Sequence, residues 1–389
     1  MKAKTFALII AMTLFAAPGI KAQTSAPTTQ GQIITFDVPG SYATVATSIN
    51  PSGEITGYYF GPTGPGSHGY VRAADGTITT FDAPGAGSNG TVATSINPSG
   101  EITGYYFDVN YAVNHTVHSY VRAAHGTITT FDAPSAGSNG TAATSINQSG
   151  EITGYYYGAS GGVHGYVRAD DGTITAFDAG SYATYPTSIN QSGEITGSYY
   201  NADTTGYHAF VRGADGTITT FDAGSYATYP ISINPSGEIT GSYFNADTTG
   251  YHAFVRAADG VITTFDAGSY TANPTSINPA GDVTGYYFAV GGPHGLLAHG
   301  FVRAADGTIT TFDADPPIAG TYSLSINPSG KITGYFFDAA NYIAHGFVRA
   351  ADGTITTFDA APGGTQPTSI NPSGEITGTA GGHGFVRKP

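Results

Sequence analysis

A Ser-Ile-Asn-x-x-Gly motif recurs eight times along the 389 residues, with its asparagine at Asn50, Asn97, Asn147, Asn190, Asn234, Asn278, Asn327 and Asn371, a period of 43 to 50 residues. A His-(Gly/Ala/Ser)-(Phe/Tyr)-Val-Arg motif keeps step with it, its histidines at His68, His118, His164, His208, His252, His299, His345 and His383. A (Thr/Ala)-Phe-Asp triplet also occurs eight times, ending at Asp37, Asp82, Asp132, Asp178, Asp222, Asp266, Asp313 and Asp359. A chain made of one recurring supersecondary unit buries the apolar face of each unit against the next, so the period constrains the fold more than the length does.

Each unit reads as four strands: Thr-Ser-Ile-Asn, Glu-Ile-Thr-Gly-Tyr-Tyr, His-Gly-Phe-Val-Arg and Thr-Ile-Thr-Thr-Phe-Asp. Alternation and enrichment in β-branched and aromatic residues support strands, and no segment has helical periodicity. Asn50-Pro51-Ser52-Gly53 suits a type I turn. Asp75-Gly76 reads as a two-residue hairpin loop, which would set Tyr70 opposite Phe81 and Asp82 opposite Gly69.

Some spacings are constant and others are not. The motif asparagine lies 7 residues before the glycine of Ile-Thr-Gly, as from Asn50 to Gly57, and the motif histidine lies 14 before the Phe-Asp carboxylate, as from His68 to Asp82. The Gly-to-His connection varies from 5 to 14 residues and the Asp-to-Asn connection from 12 to 15. In an up-and-down meander the two constant turns share one rim and the two variable connections share the other. Variation confined to one rim marks the face on which repeat proteins bind.

The ends are offset. Ile33 to Asp37 has the pattern of a fourth strand, and the eighth unit stops after its third, His383 to Arg387. An N-terminal strand completing the last unit would close a ring and cover the exposed edges. The expected fold is therefore all-β, an eight-bladed β-propeller of four-stranded blades closed by the N-terminal strand. Residues 1–22 read as a signal peptide, with Lys2 and Lys4 before a short apolar stretch and Ile20-Lys21-Ala22 as the cleavage region. Residues 23–31 then form a short flexible linker and 32–389 a single domain, secreted, periplasmic or on the cell surface, expected to be monomeric.

Composition narrows the partners. The net charge of −14 falls to −17 once Lys2, Lys4 and Lys21 are removed, which disfavours nucleic acid. No other apolar run is long enough for an integral membrane segment. With no cysteine, neither disulfides nor thiolate zinc can stabilise the chain. No calcium-loop pattern, metal-ligand spacing or nucleophile–base pair stands out, so no metal, cofactor or catalytic residue is assigned.

The repeated His68, Arg72, Asp82, His208, Arg212 and Asp222 read as structural, because a residue present in every unit builds the unit. An Arg–Asp pair within or between units is one way to use the charges. The asparagine reads as a cap for its own turn, the alternative being a channel-lining role. The variable segments carry Tyr111, Tyr182, Tyr185, Tyr207, Tyr226, Tyr229, Tyr251 and Tyr270 among small polar residues, a composition that suits recognition and sugar stacking. Units four and five are nearly identical, a 44-residue duplication that offers two equal sites. Catalysis needs unlike groups converging, so an enzyme would use residues that break the repeat: Asp108, His115, His294, Asp315, Lys331 and Asp338. Lys331, on the constant rim, reads as surface variation.

The His-Ala-Phe of His208-Ala209-Phe210 and His252-Ala253-Phe254, with the preceding Ile-Asn-x-x-Gly-x-Ile-Thr-Gly-Tyr, resembles the bacterial HAF-repeat extracellular proteins over nearly the whole mature chain. The resemblance implies export and repetition and carries no activity. The reading is an extracellular binding or surface scaffold module, for a glycan or a surface protein. The alternative is a propeller enzyme of the polysaccharide lyase or hydrolase type.

Overall fold

A computed structural model describes residues 31–62, 66–110, 116–201, 206–246, 250–268, 271–292, 295–314, 320–338 and 341–389. The proposed signal peptide, most of the linker, Tyr111, His115, Tyr270, His294 and Asp315 lie outside these residues. The described residues contain thirty-two strands, numbered β1 to β32 in chain order, and no helix. Among them no helix is long and apolar enough to cross a membrane.

The first unit shows the plan. Strands β2 (Ala43–Ile49), β3 (Ile55–Phe60), β4 (Ser67–Arg72) and β5 (Ile78–Phe81) pair antiparallel in sequence order. The same four-stranded meander recurs along the chain. The last sheet comprises β30 (Thr365–Ile370), β31 (Ile376–Ala380), β32 (His383–Arg387) and β1 (Ile33–Phe36), and β1 pairs antiparallel with β32. The sheets stay open, and units meet through side chains and single bridges such as Ser67 with Gly90. The first strand of each unit touches the first strand of the next, and β30 touches β2. The fold is therefore all-β and of propeller type.

The apolar core lies between units. Phe81 and Val71 of unit 1 pack with Ala93, Ile96, Ile102 and Tyr120 of unit 2. An equivalent cluster fills each junction, including Phe36 and Val386 of unit 8 against Ala46, Ile49, Ile55 and Tyr70 of unit 1. Each unit thus leaves an apolar face that only a neighbour can cover, at about 1.5–3 kcal/mol for each large side chain buried.

Polar rings accompany the apolar clusters. In the first strands one residue bulges, as Thr47 does between Ala46 and Ser48. Its hydroxyl donates to Thr56 O at 3.1 Å and to Ala93 O of the next unit at 3.1 Å. Each motif asparagine is buried and does two things. Asn50 Oδ1 accepts from the amides of Ser52 and Glu54, which caps its own turn. Its Nδ2 donates to Asn97 O of the following unit, and the pattern continues from Asn97 to Asn147 and so on to Asn371, which donates to Asn50 O at 3.1 Å.

The two-residue hairpin at Asp75-Gly76 is not what forms. Gly69 pairs with Phe81, Tyr70 with Thr80 and Arg72 with Ile78, one residue out of the expected register. The loop has three residues, because Ala73 N bonds Thr77 O at 2.8 Å and Gly76 N bonds Ala73 O at 2.9 Å. Gly76 has φ +98°, so it supplies the left-handed residue of a bulged three-residue loop rather than half of a two-residue turn. Asp75 Oδ1 accepts from Thr77 N at 2.8 Å and so spans the loop. The slipped register puts the Phe81 ring against Gly69, where a Cβ would lie 2.4 Å from it.

Candidate functional site: the aromatic rim

The slip also decides how the repeated charges pair. Asp82 meets no arginine and takes a hydrogen bond with His68 Nδ1 at 2.9 Å, and Asp222 does the same with His208 at 3.0 Å. All eight histidines make this contact, at 2.7–3.0 Å, including His383 with Asp37 from the first strand. In seven units the imidazole stacks on the aromatic of the second strand, for example Tyr59 on His68 and Tyr199 on His208. In unit 8 Ala380 is opposite His383 and no ring is present to stack. These pairs sit at the start of each third strand and the end of each fourth, on the variable rim.

The arginines work on the opposite rim. Arg72 lies over the Phe36 ring of the preceding unit at 5.0 Å and Arg212 over Phe177 at 5.2 Å, with the same contact in every unit. Each phenylalanine also meets the edge of the next unit's third-strand aromatic, as Phe36 meets Tyr70.

Two units break this symmetry in the repeated polar pairs. In unit 2 Asp108 approaches His118 Nε2 at 3.6 Å, opposite Asp132. In unit 7 Asp338 bonds His345 Nε2 at 3.2 Å while Asp359 holds Nδ1 at 2.7 Å. Burial opposes charge on His345, but the two carboxylates outweigh it and hold the ring above the usual histidine value. No group of three or more potential metal ligands forms among the described residues.

The tyrosines form a different pattern. The sequence places Tyr185, Tyr207, Tyr229 and Tyr251 in variable loops, but they lie within strands. Tyr185 is in β14 (Ala183–Ile189), Tyr207 begins β16 (Tyr207–Arg212), Tyr229 is in β18 (Ala227–Ile233) and Tyr251 begins β20 (Tyr251–Arg256). The first strands run to seven residues here instead of four, because pairing with the second strand continues to the rim, as from Ile189–Ile195 to Ala183–Tyr200.

Their rings form one chain of contacts. Tyr155 meets Tyr185 at 5.5 Å, Tyr185 meets Tyr207 at 6.4 Å, Tyr207 meets Tyr229 at 5.4 Å and Tyr229 meets Tyr251 at 6.2 Å. Tyr182 joins through Tyr200 and Tyr226 through Phe244. The chain crosses units 3, 4 and 5. Tyr182, Tyr226 and Tyr251 are 59%, 48% and 41% exposed, so the arc is open to solvent at these three residues. Tyr155, Tyr185 and Tyr229 are partly buried, and burial together with neighbouring tyrosines raises their hydroxyl pKa above the usual value. They remain neutral donors through the ordinary pH range.

The duplicated units build this arc by exchange. In unit 1 Tyr58 is opposite Gly69 across the strand pair. In units 4 and 5 the matching pairs are Ser198 with Ala209 and Ser242 with Ala253. The aromatic lost from the second strand is replaced from the third, by Tyr207 and Tyr251. In each unit a loop is tied down identically, Ser181 N to Asn201 Oδ1 and Ser225 N to Asn245 Oδ1, both at 2.9 Å. Sequence reading missed Tyr155, Tyr157, Tyr200 and Phe244 as members. Their period-two spacing on one strand face was the available signal.

No family model matches the chain, and no curated protein matches its sequence. Among solved structures it is similar to prolyl oligopeptidase B from Galerina marginata, 12% identical with a TM-score of 0.55 over 82% of this chain and 51% of that one. It is also similar to streptogramin B lyase, 12% identical, TM-score 0.48, over 92% and 97% of the two chains. A third likeness is to the six-bladed β-propeller lectin of Aleuria aurantia, 15% identical, TM-score 0.35, over 83% and 97%. The chain spans about half the length of the peptidase. These are β-propeller proteins, and at such low identity the likeness concerns the fold alone.

Proposed function

We propose that the units form a closed eight-bladed propeller, exported by its N-terminal signal, which acts as an extracellular binding module for carbohydrate through its aromatic rim. The carrying observation is the unbroken ring chain Tyr155–Tyr185–Tyr207–Tyr229–Tyr251 over the duplicated units. Aromatic faces stack on the apolar faces of sugar rings, and flanking serine and asparagine side chains bond hydroxyls. Two equivalent subsites 44 residues apart favour a ligand with repeated units, because the second contact is made at high effective concentration. Closure is supported by β1 pairing with β32 and by the bond from Asn371 to Asn50. Export agrees with the resemblance to HAF-repeat proteins.

A glycan array on the mature protein tests this reading. Binding to at least one glycan class, lost in the Tyr207→Ala/Tyr251→Ala variant with the fold intact by circular dichroism, is expected. A flat array with intact protein overturns it.

A further inference from the structure

On the constant rim, one junction differs from the others in charge. At six junctions the glutamate four positions after the motif asparagine reaches over the turn glycine of the next unit, as Glu54 does over Gly100 and Glu238 over Gly281, while the shorter Asp282 does not reach Gly330. There the glutamate faces that unit's buried arginine: Glu54 faces Arg122, Glu151 faces Arg212, Glu194 faces Arg256, Glu238 faces Arg303 and Glu375 faces Arg72. The carboxylate offsets a guanidinium that packing has removed from water.

Between units 7 and 8 the residue is Lys331. Its Nζ reaches over Gly374, in the place the glutamate takes elsewhere, and the arginine it approaches is Arg387. Arg387 is only 6% exposed. It stacks on Phe358, and its Nε is buried without a bond, as in six other repeat arginines, but among the described residues it alone of the eight has no hydrogen-bond acceptor, and it has no carboxylate partner. Seven other arginines donate to a neighbouring carbonyl, as Arg72 does to Ala73 O. Lys331 and Arg387 open on a cavity of about 370 Å³ that Thr354, Thr356 and Asp352 also line. Asp352 is committed to its own hairpin, accepting from Thr354 N at 2.9 Å.

We propose that this notch binds a small organic carboxylate, which Lys331 and Arg387 hold at a junction whose repeat position supplies no carboxylate of its own. The volume is that of a small-molecule site. A buried guanidinium and an ammonium that share one opening are worth little to folding but supply charge-assisted bonds to an anion. A carboxylate is the favoured occupant because five of the other arginines face one from the preceding unit. The site is on the rim opposite the tyrosines and does not depend on the glycan reading.

The test is calorimetric titration of the full chain with sodium D-galacturonate, with D-galactose and inorganic phosphate as comparison probes. Galacturonate should bind and galactose should not. Lys331→Glu, which restores the repeat's own residue and so should fold, should weaken galacturonate binding by at least about tenfold and raise the melting temperature of the unliganded protein. Lys331→Gln should weaken binding without that gain. The Tyr207→Ala/Tyr251→Ala variant should bind galacturonate as the parent does. Equal binding of galactose, unchanged binding in Lys331→Glu, preference for phosphate or no heat of binding would each overturn the proposal.

Discussion

Asn371 Nδ2 donates to the carbonyl of Asn50 at 3.1 Å, across 321 positions of sequence. The same side chain also bonds Glu375 Oε2 at 3.0 Å and accepts from Glu375 N at 2.9 Å. Asn371→Ala removes all three and leaves a buried carbonyl of unit 1 without this donor. The expected loss is about 1–3 kcal/mol, read as a fall in the urea midpoint at unchanged slope. Asn327→Ala should cost less. Asn327 Nδ2 still reaches Asn371 O, but Lys331 stands where its glutamate partner would be.

The arginine–phenylalanine contacts are inter-unit links, and a double-mutant cycle measures one. Arg212 is buried, and its guanidinium lies 5.2 Å from the Phe177 ring centre. Desolvation puts such a contact near the upper end of its range, about 1–2 kcal/mol. Arg212→Met, Phe177→Leu and the pair, followed by chemical denaturation, should give a coupling of that size. Additivity would show that the arginine stem, rather than its charge, holds the junction.

Much of this was legible because a repeat reports each rule eight times. The strand order, the capping asparagine and the two rims follow from motif spacing alone. The hairpin register did not follow, because Asp75-Gly76 fits both a two-residue turn and the last two positions of a three-residue loop. The choice rests on Gly76 taking the left-handed position after Ala74 and Asp75. The partner of Asp82 was hidden behind that register. The tyrosine arc was half legible: composition marked Tyr185 and Tyr229, but their contact through Tyr207 depends on neighbouring units meeting side by side. The importance of Lys331 was not legible, since a single lysine on a turn is ordinary until the arginine beneath it is seen to lack its carboxylate.

His345 gives the rim a pH dependence with a definite sign. Its pKa lies above the ordinary 6.5, with Asp338 and Asp359 outweighing burial. The charged ring is therefore favoured by folding, and the stability it contributes is present below pH 6.5 and lost as pH rises through the raised value. Asp338→Asn should flatten this part of the stability–pH profile, measured by urea midpoints from mildly acidic to mildly alkaline buffer. A profile that keeps its slope in Asp338→Asn would overturn the assignment to His345.

Phe36 ties the first strand to both of its neighbours. It sits in the β1 segment paired with β32, beneath Arg72 at 5.0 Å and against the Tyr70 edge at 6.1 Å. Phe36→Ala empties a nearly buried site at the junction of units 8 and 1, at about 3–5 kcal/mol. Phe221→Ala, inside the array between units 4 and 5, should cost a similar amount. The two should differ in what is released. β17 (Ile218–Phe221) is held in sequence between its own unit and the next, whereas β1 is joined in sequence only to unit 1 and meets unit 8 through pairing and the packing of Ile33, Ile34 and Phe36. Limited proteolysis of Phe36→Ala should therefore cut within residues 32–42 well below the melting temperature, with Phe221→Ala resistant at the matching positions. Equal resistance in both would mean that β1 pairing with β32, together with the His383–Asp37 contact, holds the strand without the ring.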